Sequence, residues 1–182
     1  MKTLPIVALL ALACSASQAQ QKLVPAQSEI SFVVKQMGVP LDGKFGKFDA
    51  QVGFDPAKPE AGKINLSIDL STAVVGDADT VKELKKAEWF GIAKFPTASF
   101  TSTGIKAAGA GKFDVTGNLS IKGISKPLSI PVTLAKTGAV SVAQGSFTIK
   151  RGDFKIGEGD WADTSIVAAD VQVKFKLAVS GL

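Results

Sequence analysis

The chain has 182 residues, with 21 Lys and Arg against 16 Asp and Glu, a formal net charge of +5, and neither His nor Tyr. Its one cysteine is Cys14. Beyond residue 14 this excludes imidazole acid–base chemistry, His or Cys metal centres, thiolate catalysis and disulfides, so stability must come from a packed core.

Residues 1–19 read as a secretory signal peptide. Lys2 gives the positive start, Ile6 to Ala13 an apolar run too short to span a bilayer, and Ser17-Gln18-Ala19 a small-residue cleavage site. A lipoprotein signal ending at Cys14 is the alternative, but the position three residues before it is Ala11, with Leu12 one step late. Cleavage after Ala19 leaves a periplasmic domain over residues 20–182, long enough for one core. The excess positive charge is spread along the chain. It suits either contact with anionic lipid head groups or a plain solvated face, and nothing in the pattern points to nucleic acid.

In the exported part, Ile30, Phe32 and Val34 alternate with polar or smaller neighbours and predict a first strand. Lys44-Phe45-Gly46-Lys47-Phe48 places a glycine where a strand would bend. Phe48, Ala50, Val52 and Phe54 alternate up to the turn Asp55-Pro56, and Ile64, Leu66, Ile68 and Leu70 form the most regular alternation in the chain. The rhythm breaks from Asp77 to Phe90. There Thr80 and Glu83 have capping-box spacing, Asp77 and Asp79 suit a helix N-terminus, and Val81 and Leu84 form a narrow stripe, predicting a short surface helix that ends near Trp89-Phe90.

Strands resume around Phe95 to Thr103, and a Gly/Ala-rich loop is expected from Ala107 to Gly111. Then Phe113, Val115, Leu119 and Ile121 on one side of a Lys122-to-Pro127 break, and Leu128, Ile130, Val132 and Leu134 on the other, predict an antiparallel hairpin. Pro131 conflicts with an undisturbed central strand, because proline donates no ladder hydrogen bond. Phe147 and Ile149 follow, then an irregular loop from Arg151 to Trp161. The last strand sets Val171, Val173, Phe175, Leu177 and Val179 against Asp170, Gln172, Lys174 and Lys176. About eight strands with one short helix predict an all-β, eight-stranded antiparallel barrel of lipocalin type, with a two-layer sandwich as the alternative.

Several of these stretches together resemble the YceI-like family, bacterial polyisoprenoid-binding proteins with a lipocalin-like barrel. They are Lys35-Gln36-Met37-Gly38-Val39, Gly43-Lys44-Phe45-Gly46-Lys47-Phe48, Phe54-Asp55-Pro56, Phe95-Pro96-Thr97-Ala98-Ser99-Phe100 and, most specific, Gly117-Asn118-Leu119-Ser120-Ile121-Lys122-Gly123-Ile124-Ser125-Lys126-Pro127. The resemblance implies a periplasmic carrier holding a long isoprenoid (quinone- or polyprenyl-like) or fatty-acyl chain, with a membrane b-type cytochrome as partner and no cofactor beyond the lipid. Members of the family often carry His where this chain has Gln36 and Lys122, and near the place of Glu83; if those histidines contact a head group in relatives, this chain recognises its head group differently.

The expected tail site is the apolar strand faces: Phe32, Val34, Phe48, Phe54, Leu66, Ile68, Phe100, Phe113, Leu119, Ile130, Phe147, Val173 and Phe175. A dry packed core would use the same residues. Glu158, Asp160 and Asp163 lack the donor spacing of a calcium loop and read as solvated carboxylates. Arg151 beside Asp153 reads as either a local ion pair or an exposed charge. No Gly-x-Ser-x-Gly elbow or Ser-x-x-Lys pair occurs, which leaves carboxylate-only catalysis as the enzymatic rival to binding. Intact-mass measurement of exported material is expected to show an unlipidated chain beginning at Gln20. A diacylglyceryl mass on a chain beginning at Cys14 would overturn that reading.

Overall fold

The computed structural model describes residues 21–182; the signal-peptide and Cys14 readings lie outside the described residues. Strands β1 (Lys22–Leu23), β2 (Glu29–Gln36), β3 (Val39–Phe45), β4 (Phe48–Gly53), β5 (Lys63–Asp69) and β6 (Ala73–Val75) are followed by helix α1 (Ala78–Leu84). Strands β7 (Thr97–Gly109), β8 (Lys112–Ile121), β9 (Ile124–Thr137), β10 (Val140–Lys150) and β11 (Val167–Ser180) complete one antiparallel sheet, in the order β4-β5-β7-β8-β9-β10-β11-β2-β3-β6. The eleven segments occupy eight positions around a curled sheet, because β3 and β4 are the two halves of one bent strand, β6 continues the course of β5, and β1 is a two-residue edge piece. This is the expected all-β, lipocalin-type architecture with one short helix.

The bend at Gly46-Lys47 lets the sheet come round on itself. β3 pairs with β2, whereas β4 pairs with β5. The two amides freed at the bend both donate to the Thr72 hydroxyl oxygen, at 3.2 and 3.0 Å, and that hydroxyl donates to the Asp69 carbonyl at 2.6 Å. At the far end of β4, the Gln21 side chain takes the place of a strand. Its Oε1 accepts from the Phe54 amide at 2.8 Å and its Nε2 donates to the Phe54 carbonyl at 2.6 Å, while the adjoining β1 pairs with β11.

The hairpin β8–β9 turns tightly at Lys122-Gly123, both with positive φ, so the pairing resumes at once with Ile121 opposite Ile124. The six-residue break expected there is therefore only two residues long. The loop expected over Ala107–Gly111 is likewise mostly strand, with β7 running on to Gly109. A bulge between Ser102 and Gly104 shifts the inward parity of β7, so that Ala98, Phe100 and then Ile105 face the core. The Pro131 conflict resolves at the β9–β10 seam. β9 pairs with β8 from Ile124 to Thr133, Pro131 included, but its ladder to β10 runs only from Thr137 to Val132 and stops one residue before Pro131. The turn Arg151–Phe154 packs against both strands where they part.

The cap of α1 is Asp77, not Thr80. The Asp77 carboxylate accepts from the Thr80 amide and hydroxyl, both at 2.8 Å, which holds its pKa below the usual carboxylate range. The helix ends at Leu84, and a further turn carries Trp89 and Phe90 into the core.

Arg151 makes neither of the two arrangements the sequence allows, an ion pair with Asp153 or an exposed charge. It is 3% exposed and directs every guanidinium nitrogen at backbone carbonyls. Nε donates to Val167 and Ala168, Nη1 to Ile156 and Gly157 at 2.9 Å, and Nη2 to Trp161 and Val167 at 2.7 Å. Burial pushes its pKa down, but a guanidinium stays charged throughout the physiological range. The planar five-donor fork ties the 151–166 segment to the start of β11, a geometry that a lysine cannot reproduce. Arg151→Met is expected to leave several buried carbonyls unpaired and to cost ~3 kcal/mol or more. Denaturant melts of Arg151→Met and Arg151→Lys check this, with the lysine variant expected to fail to restore stability.

Candidate ligand site

Period-two alternation sends the expected apolar faces into the barrel, but they do not fill it. A deep cavity of about 130 Å³ lies between β1's end of the barrel and its middle. Its walls include Phe54, Leu66, Ile68, Phe100, Phe113, Leu119, Ile130, Phe147, Val173 and Phe175, together with Ile105, Val115 and Val179, which were not among the expected site residues. Ser99 is the one lining residue with a polar side chain. A second cavity of about 110 Å³ continues it, sharing Ile30, Ile68, Leu119, Phe147 and Val173 as common walls and adding Phe32, Val34, Phe45 and Trp89. Of the thirteen expected residues, Phe48 alone lines neither cavity. It begins β4 just past the bend, half-buried and off the core cluster.

A third cavity of about 270 Å³ lies at the α1 end and shares Phe32, Val34, Leu84 and Trp89 with the second. Here polar side chains enter: Gln36 from the end of β2, and Asp79, Thr80 and Glu83 from α1. Gln36, and a place near Glu83, are two of the positions at which the resemblance implies a His in other members. The third, Lys122, lies elsewhere, donating to the Lys155 carbonyl at 2.6 Å and the Glu158 carboxylate at 2.9 Å. That hydrogen bond holds the Glu158 carboxyl below its ordinary pKa. Asp163 caps its own turn by accepting from the Ser165 amide at 2.8 Å. The site is therefore graded: two carbon-walled compartments in series, then a mouth that carries hydrogen-bonding groups.

The lumen stays open because large rings lie against glycines in the wall. Phe32 is in register with Gly43 and Phe175 with Gly145, and the Phe100 ring covers Gly117 on the neighbouring strand. All three glycines occupy inward-facing positions, so each ring lies along the wall in space a Cβ would fill. A methyl placed on Gly145 would come within 2.7 Å of the Phe175 ring, and one on Gly43 would overlap the Phe32 ring outright. The other aromatic pairs, Phe54–Phe113 at 5.1 Å and Phe32–Phe45 at 5.3 Å between centroids, brace the same walls.

Fold and cavity together define a small antiparallel barrel of the kind that encloses one slender apolar ligand. Residues 21–179 match the YceI-like domain, and the chain belongs to the YceI-like family. It is 44% identical to BcnA of Burkholderia cenocepacia, whose crystal structure superposes with a TM-score of 0.83 over 86% of this chain and 98% of that one. A UPF0312 protein of Azotobacter vinelandii is 39% identical over 56% of this chain, and protein YceI of Salmonella arizonae is 36% identical over 60% of it. These matches cover 53% and 57% of the two relatives, so the chain spans little more than half the length of the curated relatives it matches. A further structure, a polyisoprenoid binding domain from Saccharophagus degradans, has a TM-score of 0.71 at 17% identity, over 88% of this chain and 98% of that one, and shares the fold.

The ring-over-glycine arrangement makes a direct prediction. Gly43→Ala is expected to cost ~1–3 kcal/mol by forcing the Phe32 ring towards the lumen. Adding Phe32→Leu should recover much of that loss, giving a coupling of about 1 kcal/mol or more in a double-mutant cycle. Additive losses would show that the ring does not depend on the glycine.

Proposed function

We propose that the protein is an exported carrier that holds one long isoprenoid or fatty-acyl tail inside the barrel, and that it works in the periplasm by binding rather than by catalysis. The observation that carries this reading is the pair of carbon-walled cavities in series, opening onto a polar mouth. The Saccharophagus degradans protein of the same fold is described as a polyisoprenoid binding domain, which supports the same class of ligand here.

Cavity size sets what the resting barrel can take. An engineered dry cavity of about 150 Å³ holds one benzene. The deep and second compartments, at about 130 and 110 Å³, each match a short branched segment of comparable bulk, and a longer tail extends into the mouth. Sequestering a five-carbon isoprene unit from water gains roughly 3–4 kcal/mol at ~0.8 kcal/mol per CH₂. A tail that starts in a bilayer is already out of water, so transfer into the barrel gains almost nothing from that term. Net binding then depends on fit and on the head group, which makes the protein an exchanger or buffer rather than a trap.

Native mass spectrometry of exported protein, before and after organic extraction, tests the reading. An adduct that extraction removes is expected. Phe175→Ala should shift the range of retained tail lengths while costing less than the ~3–5 kcal/mol typical of a close-packed Phe→Ala truncation. A full-sized stability loss, with no lipid recovered from either protein, would mean a filled core and no carrier.

A further inference from the structure

The rim of the mouth carries a small apolar tip that the fold leaves uncovered. Met37 is 72% exposed, Val39 61% and Ile166 36%, three of the four large exposed hydrophobics among the described residues. They come together because the Met37 amide donates to the Ile166 carbonyl at 2.7 Å, while Val39 is in register with Gln36 across the β2–β3 turn. Each stands next to a residue of the mouth wall: Met37 and Val39 beside Gln36, and Ile166 beside Val167. Apolar side chains scattered singly on a surface are ordinary, but these gather at one lip of one opening.

The backbone shows that the turn itself does not call for methionine. Met37 and Gly38 have φ of 48° and 82°, the two-residue hairpin turn that favours asparagine followed by glycine. A long side chain at the first position is conformationally costly. Being exposed, it recovers nothing from the core.

Size and charge narrow what covers the tip. Three side chains fall well short of the ~800 Å² per partner that a stable protein interface buries, whereas a bilayer interface takes up apolar side chains directly from water. The acids of the mouth, Asp79 and Glu83, pair with Lys82 and Lys86 on the helix itself, so they do not set up an unbalanced negative rim. Exposed Lys35 flanks the tip, and its long stem lets the ammonium stay among head groups while Met37 goes deeper.

We infer that this tip docks the barrel on a phospholipid bilayer, with Met37, Val39 and Ile166 entering the interfacial zone, so that the mouth opens against lipid and a tail passes between bilayer and barrel without crossing water. The contact is read from the surface alone; the passage of a tail rests on the tail-carrier reading.

Residues 20–182 contain no cysteine, so Met37→Cys gives a single thiol for an environment-sensitive nitrobenzoxadiazole label. Lys136→Cys is the control at the deep end, where Lys136 pairs with Ser141, Ser141 with Val179, and Val179 with Leu23 of β1. On phosphatidylcholine vesicles the label at 37 should shift to the blue and be quenched by lipids brominated near the head group, in low and high salt alike. The label at 136 should do neither. Tail passage is read separately, by loading the protein with cis-parinaric acid and following its transfer to vesicles. Docked transfer makes the rate rise in proportion to vesicle concentration, whereas release through water leaves it independent. Met37→Asn suits the turn and should lower that slope by about fivefold or more, with parinarate affinity within about twofold of wild type. No response at 37, equal responses at 37 and 136, or a response abolished by salt would overturn the inference. So would a transfer rate independent of vesicle concentration. A response at 37 that needs no vesicles and grows with protein concentration would assign the tip to a second copy of the chain, and overturn it too. If parinarate does not bind while the label at 37 still enters the bilayer, the tail-carrier reading fails and the docking contact stands.

Discussion

A hollow apolar sheet is stable in water only if it leaves no long edge open, and the rest of this molecule follows from how that closure is made. The strand that closes it is broken at Gly46-Lys47, so that one half bonds to β2 and the other to β5. Thr72 satisfies the amides freed by the break, and the Gln21 side chain replaces the ladder where β4 runs out of neighbours. Closure therefore rests on a few polar contacts at the seam, and the interior can remain carbon-walled from one end to the mouth. Among the described residues, the one buried side-chain donor without a partner is Trp89 Nε1, which is enclosed by protein.

The two ends of the barrel are built differently. At the deep end, short β1 and Gln21 close the wall against Phe54. At the mouth, the turn after α1 and the 151–166 segment lie together, with the amides of Gly157 and Glu158 both donating to the Glu88 carbonyl at 2.7 and 2.9 Å. Arg151 organises the second of these segments from inside. Its guanidinium is saturated by backbone carbonyls of the chain itself, which is what holds the segment in place.

Much of this was legible in the sequence, because strand alternation is a local property. Which face of each strand turns inward could be read from residues such as Val171, Val173 and Phe175 without knowing the register, and the hairpin around Lys122-Gly123 was marked by its glycine. Phe48 failed because the same parity continues past the bend, although the bend moves the residue off the core. Gly43, Gly117 and Gly145 carried a signal that was passed over: each stands at an inward position of an alternating strand, where a glycine implies that something large lies on it. Naming the covering ring required the register, which no local pattern contains.

Arg151 and Trp89 were illegible for a different reason. An arginine beside an aspartate suggests a local pair, but a buried guanidinium needs several acceptors in a plane, and the carbonyls that supply them come from residues 5 to 17 positions downstream. Trp89 follows a short helix and reads as its apolar terminus, and only the folded chain shows that its N–H has nowhere to donate. The two residues are coupled. The Arg151 guanidinium, its donors all consumed by carbonyls, lies 5.9 Å from the centroid of the Trp89 ring, so the same cation that organises the segment also steadies the ring.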